Sequence, residues 1–186
     1  MDRDTLIQYL KTLDANLKKP AKLYIYGSAA LMLLEEEMRI SLDIDVAAPY
    51  SEVDFADFQH ACESAGIPLN PSADYASEHI EWIGPLRLCL PKPDPKTDLM
   101  LWRGAKLAVH TASPAKLAAS KLVRYDETDQ TDIHFLCFQF RLDFDQICRA
   151  VEVLPPPFNT DILVLENLEN LRIDMQQWRQ HDECQR

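Results

Sequence analysis

Two aspartates one residue apart, Asp43 and Asp45 in Leu42-Asp-Ile-Asp-Val-Ala47, carry the most specific chemistry in this chain. Leu42 to Ala47 has the composition of a short strand, and side chains two apart on a strand project from one face, so the two carboxylates converge. Like charges that close repel unless a cation lies between them. Mg2+ is the natural partner, a hard ion that takes one or two carboxylates and completes its octahedron with water and substrate phosphates. Upstream, Leu23 to Tyr26 reads as a strand that stops at Gly27-Ser28, residues that can open a helix with backbone N–H groups directed at an anion. Phosphate suits that position. Either motif alone is common, a D-x-D anywhere and a Gly-Ser as a plain turn or cap; their succession in strand contexts is the informative feature.

The order strand, Gly-Ser, helix, strand with D-x-D resembles the core of the DNA polymerase β-type nucleotidyltransferase superfamily. Gly27-Ser-Ala-Ala with Arg39-x-Ser41-x-Asp43-x-Asp45 is similar to the AbiEii-like, uncharacterised bacterial branch, and the fourteen residues between Ser28 and Asp43 match that branch better than the minimal antibiotic-modifying members. A second stretch, Ser113 to Ile133, resembles the pattern in which one helix carries Lys121 with Arg124 and the next begins with D-x-x-D, here Asp129 and Asp132; Thr128 stands where members often have Lys. The resemblance implies a small mixed sheet flanked by helices and Mg2+-dependent transfer of a nucleoside monophosphate from an NTP to a hydroxyl on RNA, protein or a small molecule. It also implies the toxin of a bacterial toxin–antitoxin pair, with an antitoxin-like protein as partner. Asp43 and Asp45 would hold metal. Gly27, Ser28, Arg39, Ser41 and Arg124 would serve the nucleotide, and Lys121 and Asp132 the chemistry. A third carboxylate is not located by motif: Glu81 and Asp98 are both open, as is surface charge for each. An interhelix salt-bridge network is the alternative for Lys121, Arg124 and Asp132, an N-cap the alternative for Asp129, and pairing with Glu35 or Glu36 the alternative for Arg39. A degenerate member that binds nucleotide or a protein without turnover is the competing function.

The elements that must position these residues follow from periodicity. At 186 residues with 47% hydrophobic and 26% charged residues, the chain suits an α/β (α+β) fold with a substantial core. Asp4 caps an expected first helix with Leu6, Leu10, Leu13 and Leu17 on one face, ended by Pro20. The Gly-Ser helix is expected to reach about Met38, and a third helix, opened by Ser51 with Asp54, to end at Gly66. His79–Ile83 and Leu86–Leu90 read as a hairpin around Gly84-Pro85; Leu99–Trp102 and Lys106–His110 as further strands. Helices follow from Ser113-Pro114 through Tyr125, from Thr128-Asp129, from Asp143, and from Thr160 to about Arg179 after Pro155-Pro-Pro157. The expected division is an α/β core with the N-terminal helix over 1–112 and a helical part over 113–186 packed on it. Trp82 and Trp102 suit a base-stacking floor or, more commonly, core. The five histidines show no ligand spacing. The five cysteines lack any C-x-x-C pair and read as reduced thiols. No apolar run is long enough to span a membrane, Met-Asp-Arg-Asp is no signal peptide, and the expected place is the cytoplasm. A net charge of −11 argues against broad nucleic-acid binding.

Overall fold

The computed structural model describes residues 1–36, 39–72 and 74–184, and the chain divides into two units, Met1–Leu88 with Pro93–Ala112 and Cys89–Lys92 with Ser113–Arg186. In the first unit, β1 (Ala21–Tyr26), β2 (Asp43–Ala47), β3 (His79–Ile83), β4 (Leu99–Arg103) and β5 (Leu107–Thr111) form a mixed sheet in the order β3-β2-β1-β5-β4. β1 runs parallel to β5 and antiparallel to β2, β2 parallel to β3, and β4 antiparallel to β5. The helices of this unit are α1 (Arg3–Asn16), α2 (Gly27–Leu33) and α3 (Phe55–Ala65).

The apolar stripe of α1 decides which face of the sheet is dry. Leu6, Leu10, Leu13 and Leu17 lie in one core cluster with Leu23 and Ile25 of β1, Ile44 and Val46 of β2, Phe58 of α3 and Ile80 of β3. Each fully buried leucine contributes about 2 kcal/mol of apolar transfer. Because strand side chains alternate, burying Ile44 and Val46 turns Asp43 and Asp45 to the opposite face. Asp14, near the end of α1, accepts hydrogen bonds from the backbone N–H groups of Ala105 (3.0 Å), Lys106 (2.7 Å) and Leu107 (2.7 Å), clasping the β4–β5 turn. Gly104 is required there, since a Cβ would overlap the Asp14 carboxylate.

Several boundaries differ from expectation because another polar group wins a cap. Asp2, not Asp4, accepts from the backbone of Thr5 and caps α1. Asp54 caps α3 through Asp57 N–H, while the Ser51 hydroxyl accepts from Tyr24 N–H and donates to the Ala47 carbonyl, joining β1 to the end of β2. Gly66 closes α3 at φ +69°. The Gly-Ser helix stops at Leu33; its expected end near Met38 lies outside the described residues. Leu86–Leu90 forms a turn rather than a strand: Arg87 N–H donates to the Gly84 carbonyl and Leu86 is 97% exposed. Pro85 and Pro91, which have no N–H of their own, bracket that run. β3 pairs instead with β2, which lies 36 residues earlier.

The second unit holds α4 (Pro114–Lys121), α5 (Glu127–Phe140), α6 (Phe144–Glu152) and α7 (Ile162–Cys184). α4 ends at Lys121 instead of continuing through Tyr125, whose φ is +56° and whose hydroxyl donates to Asp174. Asp126, three residues ahead of the expected Asp129, caps α5, and Asp143 with Gln146 forms a full capping box on α6. Leu117, Leu122, Ile133, Leu136, Ile147, Val151 and Leu171 are buried. Burial pushes the Cys62 and Cys137 thiols up to about 12, so both stay protonated at neutral pH. No helix among the described residues is long and apolar enough to cross a membrane.

Candidate functional site

The parallel register of β2 and β3 sets Asp43 opposite His79 and Asp45 opposite Glu81. All four therefore share the sheet face that the core leaves uncovered. Asp43, His79 and Glu81 each place one ligand atom within 4.8 Å of the others. The closest set is thus a carboxylate, an imidazole and a second carboxylate, and Asp45 is not one of the three. Asp45 is turned toward the start of α2: a Cβ on Gly27, which sits at φ +63°, would overlap Asp45 Oδ2. Glycine is needed at 27 both for that backbone angle and for the approach of the carboxylate.

Each ligand is held from behind. Ser41 Oγ donates to Asp43 Oδ1 at 2.7 Å. His79 Nδ1 lies 2.8 Å from the Ser77 carbonyl, which fixes the proton on Nδ1 and turns Nε2 toward Glu81 Oε1, 3.7 Å away. The other oxygen of Glu81 meets the exposed Arg87 at 3.1 Å. The Met1 amino group donates to the Ser41 carbonyl and pairs with Glu78 at 2.8 Å, tying together the residues just ahead of β2 and β3. That ammonium, with the Tyr9 hydroxyl, holds the Glu78 carboxyl below the usual range.

At the β1–α2 junction the Ser28 hydroxyl accepts from Arg39 Nε (3.1 Å) and Nη2 (2.8 Å). Two groups assigned to phosphate by the sequence thus hold one another. Asp98 takes a different role: it accepts from the Tyr24 hydroxyl and from Asp94 N–H. Trp82 packs on Phe55 and Phe58 at centroid distances of 5.5 and 5.4 Å, on the face opposite Glu81, so it is core rather than a floor for a base. Trp102 packs partly buried against the same core.

Neither a family model, nor a curated protein, nor a solved structure matches this chain.

In the helical unit, Lys121, Arg124, Asp129 and Asp132 form one ion-pair network. Lys121 Nζ lies 2.5 Å from Asp132 Oδ2 and 3.3 Å from Asp129 Oδ1. Arg124 meets Asp129 through Nε (2.8 Å) and Nη2 (3.0 Å), a bidentate fork that raises its pKa further, and also contacts Asp126. The Asp129 and Asp132 side chains are 4% and 0% exposed and Lys121 11%, whereas Arg124 is 65% exposed. This is the salt-bridge arrangement that the spacing allowed, between α4 and α5. Sequence reasoning missed His79. The available signal was His79-x-Glu81, an alternation like Asp43-x-Asp45, but only the strand register brings the two together.

Proposed function

We propose that the α/β unit binds a nucleoside triphosphate with Mg2+ and transfers its nucleoside monophosphate to a hydroxyl of an RNA, protein or small-molecule acceptor. The observation that carries this proposal is the gathering of Asp43, Asp45 and Glu81 on one sheet face, beside a glycine that must stay a glycine. The donor set fits the ion: carboxylate oxygens from adjacent strands, one of them braced by a neutral hydroxyl. Bound there, the ion would neutralise triphosphate charge during in-line displacement. Asp43 and Asp45 would hold it, Ser41 fixes the Asp43 rotamer, and Gly27 lets Asp45 stand against the backbone. Arg39, already braced on Ser28, offers its guanidinium to phosphate oxygens. By the resemblance in Arg39-x-Ser-x-Asp-x-Asp45, the proposal extends to a bacterial cytoplasmic toxin held in check by an antitoxin-like protein.

Nucleotide or partner binding without turnover is the second reading, and one observation favours it: Arg87 offsets part of the charge that Glu81, the third carboxylate, would bring to a metal. Thermal shift with each of the four NTPs, with and without Mg2+, tests binding, and label transfer from α-labelled NTP tests turnover. Metal-dependent stabilisation should vanish in Asp43→Asn with Asp45→Asn, and its survival in that double variant would sink the site. Stabilisation without transfer, unchanged in Arg87→Ala, would select the second reading.

A further inference from the structure

We infer that Asp43, His79 and Glu81 form a binding site for a divalent first-row transition ion, Mn2+ being the diagnostic case, which the His79 imidazole selects over Mg2+. The three ligand atoms already lie within 4.8 Å of one another, close enough for one ion to reach all three. His79 is nine-tenths buried, so its orientation is set by packing rather than by solvent. Its Nδ1 lies 2.8 Å from the Ser77 carbonyl, which leaves Nε2 facing Glu81 Oε1 at 3.7 Å, too long for a hydrogen bond. An imidazole whose second nitrogen donates to a backbone carbonyl is also the usual outer arrangement of a metal-ligating histidine. Asp43 is oriented in the same way, by the Ser41 hydroxyl. Glu81 has one oxygen on Arg87 and the other facing His79, so it can ligate without releasing its exposed partner.

The donor set decides the ion. Two carboxylates alone suit Mg2+, Ca2+ and Mn2+ alike, but a nitrogen donor adds little for Mg2+ and raises affinity along the first transition row. Mn2+ accepts both oxygen and imidazole and, unlike Zn2+, has little affinity for thiols, so the chain's cysteines do not compete for it. What the ion does at this site rests on the nucleotide reading, because Asp43 is common to both; binding itself does not.

The test is Mn2+ titration of the full chain without nucleotide, followed by the electron paramagnetic resonance of free Mn2+, with Mg2+ affinity read by competition. Wild type should bind one Mn2+ more tightly than Mg2+. His79→Gln and His79→Ala should weaken Mn2+ by roughly tenfold or more, with a smaller change for Mg2+, and His79→Asp should narrow the preference between the two ions. Asp43→Asn, at a half-buried position, should also lose Mn2+ and provides the decision if the His79 variants do not fold. Equal Mn2+ affinity in folded His79 variants, or no preference for Mn2+ in wild type, would overturn the site and leave an imidazolium–carboxylate pair. Loss of nucleotide stabilisation with His79-dependent Mn2+ binding intact would refute the proposed function alone. The converse result would refute this inference alone.

Discussion

Replacing Lys121 with methionine keeps most of the side-chain volume and removes one charge from a network that has little water to fall back on. Lys121 Nζ sits 2.5 Å from Asp132 and 3.3 Å from Asp129, and the two carboxylates are 0% and 4% exposed. At an effective dielectric constant of 20, attraction at 3.3 Å is about 5 kcal/mol before desolvation is subtracted. Removing one partner of a buried pair costs about 3–5 kcal/mol, because the remaining charge is stranded. Asp129 keeps its bidentate contact with Arg124, so Asp132 bears most of the loss and the lower end, about 3 kcal/mol, is expected. For a chain of this size that is a fall in Tm of about 6–12 °C. Asp132→Asn leaves Lys121 on Asp129 and should cost less, about 2 kcal/mol. Lys121→Met with Asp132→Asn removes both charges and should cost less than the two single losses together. Urea unfolding followed by circular dichroism measures all three. A loss under about 1 kcal/mol for Lys121→Met, the value of an exposed pair, or strict additivity in the double variant, would refute the buried-network account.

Asp14→Ala removes the acceptor for three backbone donors and should cost about 2 kcal/mol, reduced by the solvent that reaches the carboxylate. Burial raises the Asp14 pKa, but the three N–H groups outweigh it and hold the carboxyl below its usual range. Its stabilisation is therefore present above the unfolded value near 3.8 and lost as pH falls through the lower folded value, so the gap in Tm between wild type and Asp14→Ala should close in acid. His110, stacked on Tyr24 at 6.3 Å, acts in the same direction at a higher pH: burial, then Lys22, lowers its pKa below 6.5. The unfolded chain takes up the proton first, so stability falls as pH drops below 6.5, with a slope of at most about 1.4 kcal/mol per pH unit. His110→Gln should flatten that slope; an unchanged Tm profile between pH 6.5 and 5 would refute it.

The period-2 alternation of Ile44 and Val46 with Asp43 and Asp45 made the shared carboxylate face legible, because a strand with one dry side has no other register available. The four-leucine stripe of α1 was legible for the same reason at helical period. Cap positions were not: Asp2 and Asp4, or Asp126 and Asp129, are chemically equivalent capping residues, and only the final backbone decides which reaches a free N–H. His79 and Glu81 joined the site through pairing with a strand 36 residues away, a contact that no local pattern encodes. The apparent hairpin partner at Leu86–Leu90 had the right alternation, but the turn at 85–87, closed by Arg87 N–H on the Gly84 carbonyl, takes up its first residues.

The clasp of Asp14 on the β4–β5 turn joins residues 91 to 93 positions apart. Its consequence belongs to synthesis rather than to the finished molecule. β1 lies between β2 and β5, so a growing chain can assemble β3-β2-β1, with every proposed metal ligand in place, while the β5 side of β1 is still an open edge. At about 5–20 residues per second that edge is exposed for seconds before Leu107 arrives. Contacts of such long sequence separation form slowly. Through that interval the open edge of β1, Ala21–Tyr26, carries one charge, Lys22, against pairing with other chains.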